Sequence, residues 1–282
     1  MEEKFRATAS HLLPEMWTLI VAGILAVGIL ESKIEVEVIT AFPETSSGAT
    51  LNMAMFVVIM AAIATIMYLL VRHGLERIFR MILRLATIVV LFMLSNWYLA
   101  AFFEILRVPA QFATDAVIVS ALVLTTVLAY AINRTRGMAH LASMTLLGAM
   151  LGTFLGASIP TLTTIVLLLG LAGYDILAVF KGPIGKIAEK VDLENLSGAT
   201  LTFGELTVGL GDLVFYSMLA SHTMLSFGFI PYVSASIGVI IGTFLGFKML
   251  EKRSTFPGLP LSLICGLGLM FIAVFLQRTL RL

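Results

Sequence analysis

A chain of 282 residues in which 59% are apolar and only 12% charged is not a soluble globular domain, where about a quarter of the residues carry charge. The net charge of +1 gives no reason to expect a nucleic-acid partner. A single cysteine, Cys265 in an apolar run, and four scattered histidines (His11, His73, His140, His222) exclude an intramolecular disulfide framework and suggest no metal site.

Nine stretches approach the roughly 20 apolar residues that a helix needs to cross a bilayer: 12–30, 51–71, 85–103, 116–132, 138–157, 159–180, 201–221, 224–247 and 259–276. The first carries Pro14 and Glu15 near its start, and no small-residue cleavage site follows it, so no cleavable signal peptide is expected. The fifth and sixth almost touch at Ser158 to Pro160, which predicts a tight helical hairpin. The seventh is interrupted by Glu205 and Asp212. With the N-terminus inside, 14 of the 18 basic residues fall on inner segments, leaving Lys33, Arg107, Arg278 and Arg281 outside. That bias orients the chain. The expectation is an all-α integral membrane protein of nine transmembrane helices, multi-pass in a lipid bilayer, the cell membrane above all. Its N-terminus is cytoplasmic and its C-terminus outside. One membrane domain is expected overall: residues 1–180 hold spans one to six, 181–200 form a cytoplasmic connector, and 201–282 hold spans seven to nine.

Most acidic residues fall at span ends, and Glu15, Glu104 and Asp115 read as interfacial anchors. Asp175, in "LAGYDILAVFK", and Asp212, in "GLGDLVFYSML", lie inside spans six and seven. At helical rise, Asp175 lies about 9 Å in from Lys181, and Asp212 about 10 Å in from Glu205. Antiparallel neighbours thus present two carboxylates at one depth, nearer the cytoplasmic face. Small residues beside them (Ala172, Gly173, Ala178; Gly209, Gly211) let helix backbones approach. Two carboxylates at close range cannot readily both ionise, and such a pair shares one proton near neutral pH. One can then polarise a water while the other hydrogen-bonds a scissile carbonyl. The same pair also suits a proton relay or cation site in a transporter, and position alone leaves both readings open. Tyr174, next to Asp175, is placed to pack against a substrate or donate a hydrogen bond. Gly209-Leu210-Gly211 loosens the helix before Asp212.

Spans five and eight contain "GAMLGTFLG" (148–156) and "GVIIGTFLG" (238–246), glycines at four-residue spacing that read as packing seams. His222 reads as interfacial at the outer end of span seven, Glu205 as the point where that span becomes wet, and Trp17, Trp97 and Tyr98 as interfacial or packing residues. Pro257-Gly258-Leu259-Pro260 opens span nine. Its prolines leave backbone groups without intrahelical partners, which a bilayer tolerates only inside protein or beside a wet cavity.

Tyr174-Asp175, Gly209-Leu210-Gly211-Asp212 and Pro257-Gly258-Leu259-Pro260 occur in that order on spans six, seven and the start of nine. Together they resemble the motif set of the presenilin and signal peptide peptidase superfamily of intramembrane aspartyl proteases, and "GLGDLVFYSML" is closer to presenilin. The resemblance implies that Asp175 and Asp212 are a catalytic pair and that the Pro257–Pro260 segment shapes the active site. It also implies substrates that are partly unwound transmembrane helices of membrane proteins. No cofactor is implied, because two carboxylates and water suffice. Signal peptide peptidases insert in the opposite sense, so the basic-residue bias favours the presenilin branch. Gly258 stands where the family has alanine. The short 181–200 connector replaces the long loop in which animal presenilins cleave themselves, so self-cleavage is not expected. The alternatives are a signal peptide peptidase-like enzyme clearing signal peptides, and a cation or proton channel or transporter using the same pair. Nothing in the sequence calls for a partner subunit.

Overall fold

The computed structural model describes residues 6–181, 200–203, 206–251 and 256–280. After a 3-10 turn (Ala9–Leu12), nine α-helices follow among the described residues. They are α1 Leu13–Ser32, α2 Ser46–Arg72, α3 Glu76–Ile105, α4 Ala110–Arg134, α5 Met138–Ser158, α6 Thr161–Lys181, α7 Leu210–Phe227, α8 Phe229–Leu250 and α9 Leu259–Leu280. Two short strands, β1 Thr200–Phe203 and β2 Leu206–Gly209, precede α7. Eight of the helices are long and apolar enough to cross a membrane, and the protein is an integral, multi-pass membrane protein. α5 stops at Ser158 and α6 begins at Thr161, the tight hairpin that Pro160 dictates.

α7 is the exception, and here the expectation of a helix over 201–221 is corrected. Its first half is an antiparallel hairpin with Thr200 opposite Gly209, Leu201 opposite Val208, Thr202 opposite Thr207 and Phe203 opposite Leu206. "TLTF" and "LTV" are rich in β-branched and aromatic residues that suit a pleated ribbon. Gly209 is extended (φ −72°, ψ 139°) and acts as the N-cap of α7. The helix is therefore 18 residues long, and Asp212 lies in its first turn rather than partway along a continuous span. Glu205, the residue from which its depth was reckoned, lies outside the described residues, as does most of the 181–200 connector.

α7 is the one described helix that falls short of the length and apolarity needed to cross a membrane, and it is the most enclosed, with Leu213 through Met224 all buried. Lipid tails provide no hydrophobic drive for helix association, so close packing and internal hydrogen bonds must hold such a helix. α5 supplies the packing. A Cβ on Gly148 would lie 2.9 Å from that of Leu213, one on Gly152 would collide with Ser217 and the Val214 carbonyl, and one on Gly156 would lie 2.8 Å from the Met218 carbonyl. The second glycine seam behaves alike: Gly238 and Gly242 of α8 abut the backbone of α9 at Cys265 and Leu261. Ser217 Oγ donates to the Gly148 carbonyl at 2.9 Å.

His222 is not interfacial. It is 4% exposed, with Nδ1 2.7 Å from the Gly156 carbonyl and Nε2 3.1 Å from Thr161 Oγ1. It ties α7 to both helices of the α5–α6 hairpin. Glu104 and Asp115 are exposed as expected. Trp97 packs edge-on against Phe154 and Tyr98 donates to the Met150 carbonyl, whereas Trp17 is half exposed.

Candidate active site

The sequence-predicted residues converge where α6, α7 and the start of α9 meet. Leu259 is the first residue of α9, where amides have no intrahelical acceptor, and Pro260 has no amide to offer. Asp175 of α6 supplies the acceptor, its Oδ2 lying 3.0 Å from the Leu259 N–H. Burial of Leu168, Leu171, Ala172 and Ala178 fixes the α6 face that carries it.

Asp212 reaches the same peptide from the other helix. A Cβ on Gly258 would stand 2.7 Å from Asp212 Oδ2 and 3.3 Å from its Cγ, so the carboxylate lies close against this backbone. Both acids therefore meet the Gly258–Leu259 segment. Gly209 and Gly211 leave the approach to Asp212 open: the nearest atom to a Cβ on Gly209 would be Asp212 Oδ2 at 3.9 Å. Pro257, Leu259 and Pro260 are buried, and Tyr174 is half-buried beside Asp175. Leu210 packs between the two core clusters.

A polar network holds the loop from behind. Tyr216 Oη donates to the Gly258 carbonyl at 2.9 Å and lies 3.0 Å from Ser262 Oγ. Ser262 Oγ is 3.0 Å from the same carbonyl and 2.9 Å from Thr243 Oγ1. Beside this network lies a cavity of about 80 Å³ lined by polar groups from Glu15, Asp212, Tyr216 and Thr243 and by the apolar side chains of Phe247, Leu250 and Phe256. Asp175 touches the loop without lining the cavity. Glu15 corrects the sequence reading: it is 1% exposed, not an interfacial anchor.

Sequence reasoning missed Glu15, Thr243, Ser262 and the role of Tyr216. Only Tyr216 carried a local signal, since a residue four after Asp212 shares its helix face.

A multi-pass helical membrane protein with two carboxylates brought onto one irregular, buried peptide is the class that fold and site define. Two crystal forms of a presenilin family intramembrane aspartate protease superpose on the chain with TM-scores of 0.63 and 0.64. They cover 95% and 97% of this chain and 98% and 100% of those chains, at 19% identity. The chain has the presenilin-family fold. Presenilin spe-4 of Caenorhabditis elegans is 34% identical over 76 residues, 27% of this chain and 16% of that protein's length. No protein-family model matches the chain.

Proposed function

We propose that this chain is an intramembrane aspartyl endopeptidase that hydrolyses peptide bonds within transmembrane segments of membrane proteins, in the cell membrane. The observation that carries this reading is the convergence of Asp175 and Asp212 on the Gly258–Leu259 peptide, from two helices, beside a small polar cavity. In the proposed reaction the ionised acid takes a proton from water as its oxygen bonds to the scissile carbonyl carbon, and the protonated acid hydrogen-bonds the carbonyl oxygen. A proton then passes to the amide nitrogen as the C–N bond breaks, and the dyad returns with one proton. Which aspartate holds it is a property of the pair.

Asp175 also caps α9, a role that a purely structural residue would serve. Capping does not account for Asp212 pressed against Gly258, and the shared fold supports the chemical reading. Tyr174 and the Pro257–Pro260 segment are assigned to substrate contact and shaping of the site, with Gly209, Leu210 and Gly211 giving an unwound substrate access to Asp212. The test uses purified protein in liposomes with a single-span substrate, comparing the parent with Asp175→Ala and Asp212→Ala. Loss of cleavage in both folded variants is expected. Cleavage surviving either change, or ion flux that persists in the presence of an aspartyl-protease transition-state analogue without cleavage, points to the channel or transporter reading.

A further inference from the structure

Glu15 is the buried acid that the scheme above leaves unused. It occupies the first turn of α1, and neither of its carboxyl oxygens finds a hydrogen-bond partner in another described residue. Both it and Asp212 line the 80 Å³ cavity. A carboxyl removed from water without partners is costly, so these oxygens call for an occupant. A space of this size admits water, and the carboxyl oxygens of Glu15 and Asp212 offer it polar partners. No cluster of acids, histidines and cysteines able to hold a metal occurs among the described residues.

We propose that Glu15 is a positioning residue of the aspartate pair, exchanging protons with Asp212 through water held in this cavity and so setting how many protons the site carries. The charges around it leave Asp212 as its electrostatic partner. α7 also presents Tyr216, whose hydroxyl is committed to Gly258 and Ser262. The ionisable residue of α5, His140, is bound at the Ile132 carbonyl. On α3, Tyr98 is held by Met150 and Arg80 pairs with Glu76, while Arg77, Arg84 and Glu104 are exposed. At the adjoining end of α8, Lys248 lies over the Phe244 ring and Glu251 accepts from the Ala7 amide. His11, one turn before Glu15, bonds Thr8. Asp175 does not line the cavity.

The proposal deepens the endopeptidase reading, and its test has one arm that needs no cleavage. In the kinetic arm, kcat and KM are measured against pH for the parent, Glu15→Gln and Glu15→Asp in liposomes. With one acid fewer near the cavity, the remaining pair gives up its shared proton at lower pH. Glu15→Gln is thus expected to move the alkaline limb of kcat/KM down by about one unit with KM unchanged, and Glu15→Asp to return it towards the parent. In the second arm, infrared pH titration follows the carboxylic C=O band that Glu15→Gln removes. That band is expected to change its pH response in Asp212→Asn. A pH profile unmoved by Glu15→Gln, or a band indifferent to Asp212→Asn, overturns the proposal. Loss of activity with an unshifted profile reduces Glu15 to a structural residue. If the parent cleaves nothing, the endopeptidase reading is at fault and the infrared arm alone decides. If Glu15→Gln does not fold, the band is assigned with Glu15→Asp.

Discussion

Replacing Tyr216 with phenylalanine removes one oxygen from the back of the site and leaves the ring in place. That oxygen is 2.9 Å from the Gly258 carbonyl and 3.0 Å from Ser262 Oγ, in a side chain 2% exposed. A buried hydrogen bond is worth about 0.5–1.5 kcal/mol net, and an acceptor left unsatisfied costs about 1–3 kcal/mol. Ser262 still reaches the Gly258 carbonyl at 3.0 Å, so the loss belongs at the lower end, about 1 kcal/mol. It falls on the peptide that binds Asp175 and abuts Asp212. If that loss is expressed in the transition state, kcat falls about five- to tenfold, since 1.36 kcal/mol is a factor of ten. KM stays put, because a side chain this buried does not meet substrate. Single-turnover and steady-state cleavage of a single-span substrate separate the two. Because Tyr216 and Ser262 share one acceptor, the double variant Tyr216→Phe, Ser262→Ala is expected to lose more than the sum of the singles. A kcat within twofold of the parent, or a change confined to KM, would refute the idea that this network positions the acids.

Three further changes test the frame around the site. Gly258→Ala puts a Cβ 2.7 Å from Asp212 Oδ2; the carboxylate must turn aside slightly, and cleavage is expected to fall by no more than about tenfold, with thermal unfolding of the variant little changed. Gly152→Val drives a side chain into Ser217 and the α7 backbone, a cost of about 3 kcal/mol at the upper end of overpacking, read as a fall in unfolding temperature. His222→Ala strips the Gly156 carbonyl and Thr161 of their partner and costs about 2 kcal/mol of stability. Cleavage per folded molecule should survive that last change, because His222 is about 15 Å along α7 from Asp212.

The features legible in the sequence were those written in local pattern. Long apolar runs marked eight of the helices, Pro160 marked the α5–α6 turn, and glycines at four-residue spacing marked the seams where α7 and α9 are received. Asp175 and Asp212 stood out because carboxylates in apolar runs are rare. Helix periodicity failed at 200–209, where "TLTF" and "LTVG" were absorbed into a span although their β-branched residues favour a ribbon. Glu15 was misread because a charge beside Pro14 at a span's start looks the same whether water or protein covers it. Its burial comes from the way α1 packs against α5 and α7, which no local pattern records. Thr243 and Ser262 were invisible for the same reason, being ordinary polar residues until two helices join them.

The failure at 200–209 also explains how a bilayer-embedded fold bears the charge. Had residues 201–221 formed one continuous helix, Asp212 would sit mid-helix, where no free amides compensate a carboxylate. Because the hairpin ends at Gly209, Asp212 instead lies in the first turn of α7, at the positive end of its dipole. Asp175 likewise accepts from Leu259 at the first turn of α9. The two irregular segments, the hairpin and Pro257–Pro260, therefore serve one end: each starts a helix at the site, so two N-termini face two acids. Negative charge is least costly where both meet. The glycine seams of α5 and α8 hold those two helices in place, which is why packing residues a turn or more from either acid govern where the carboxylates stand.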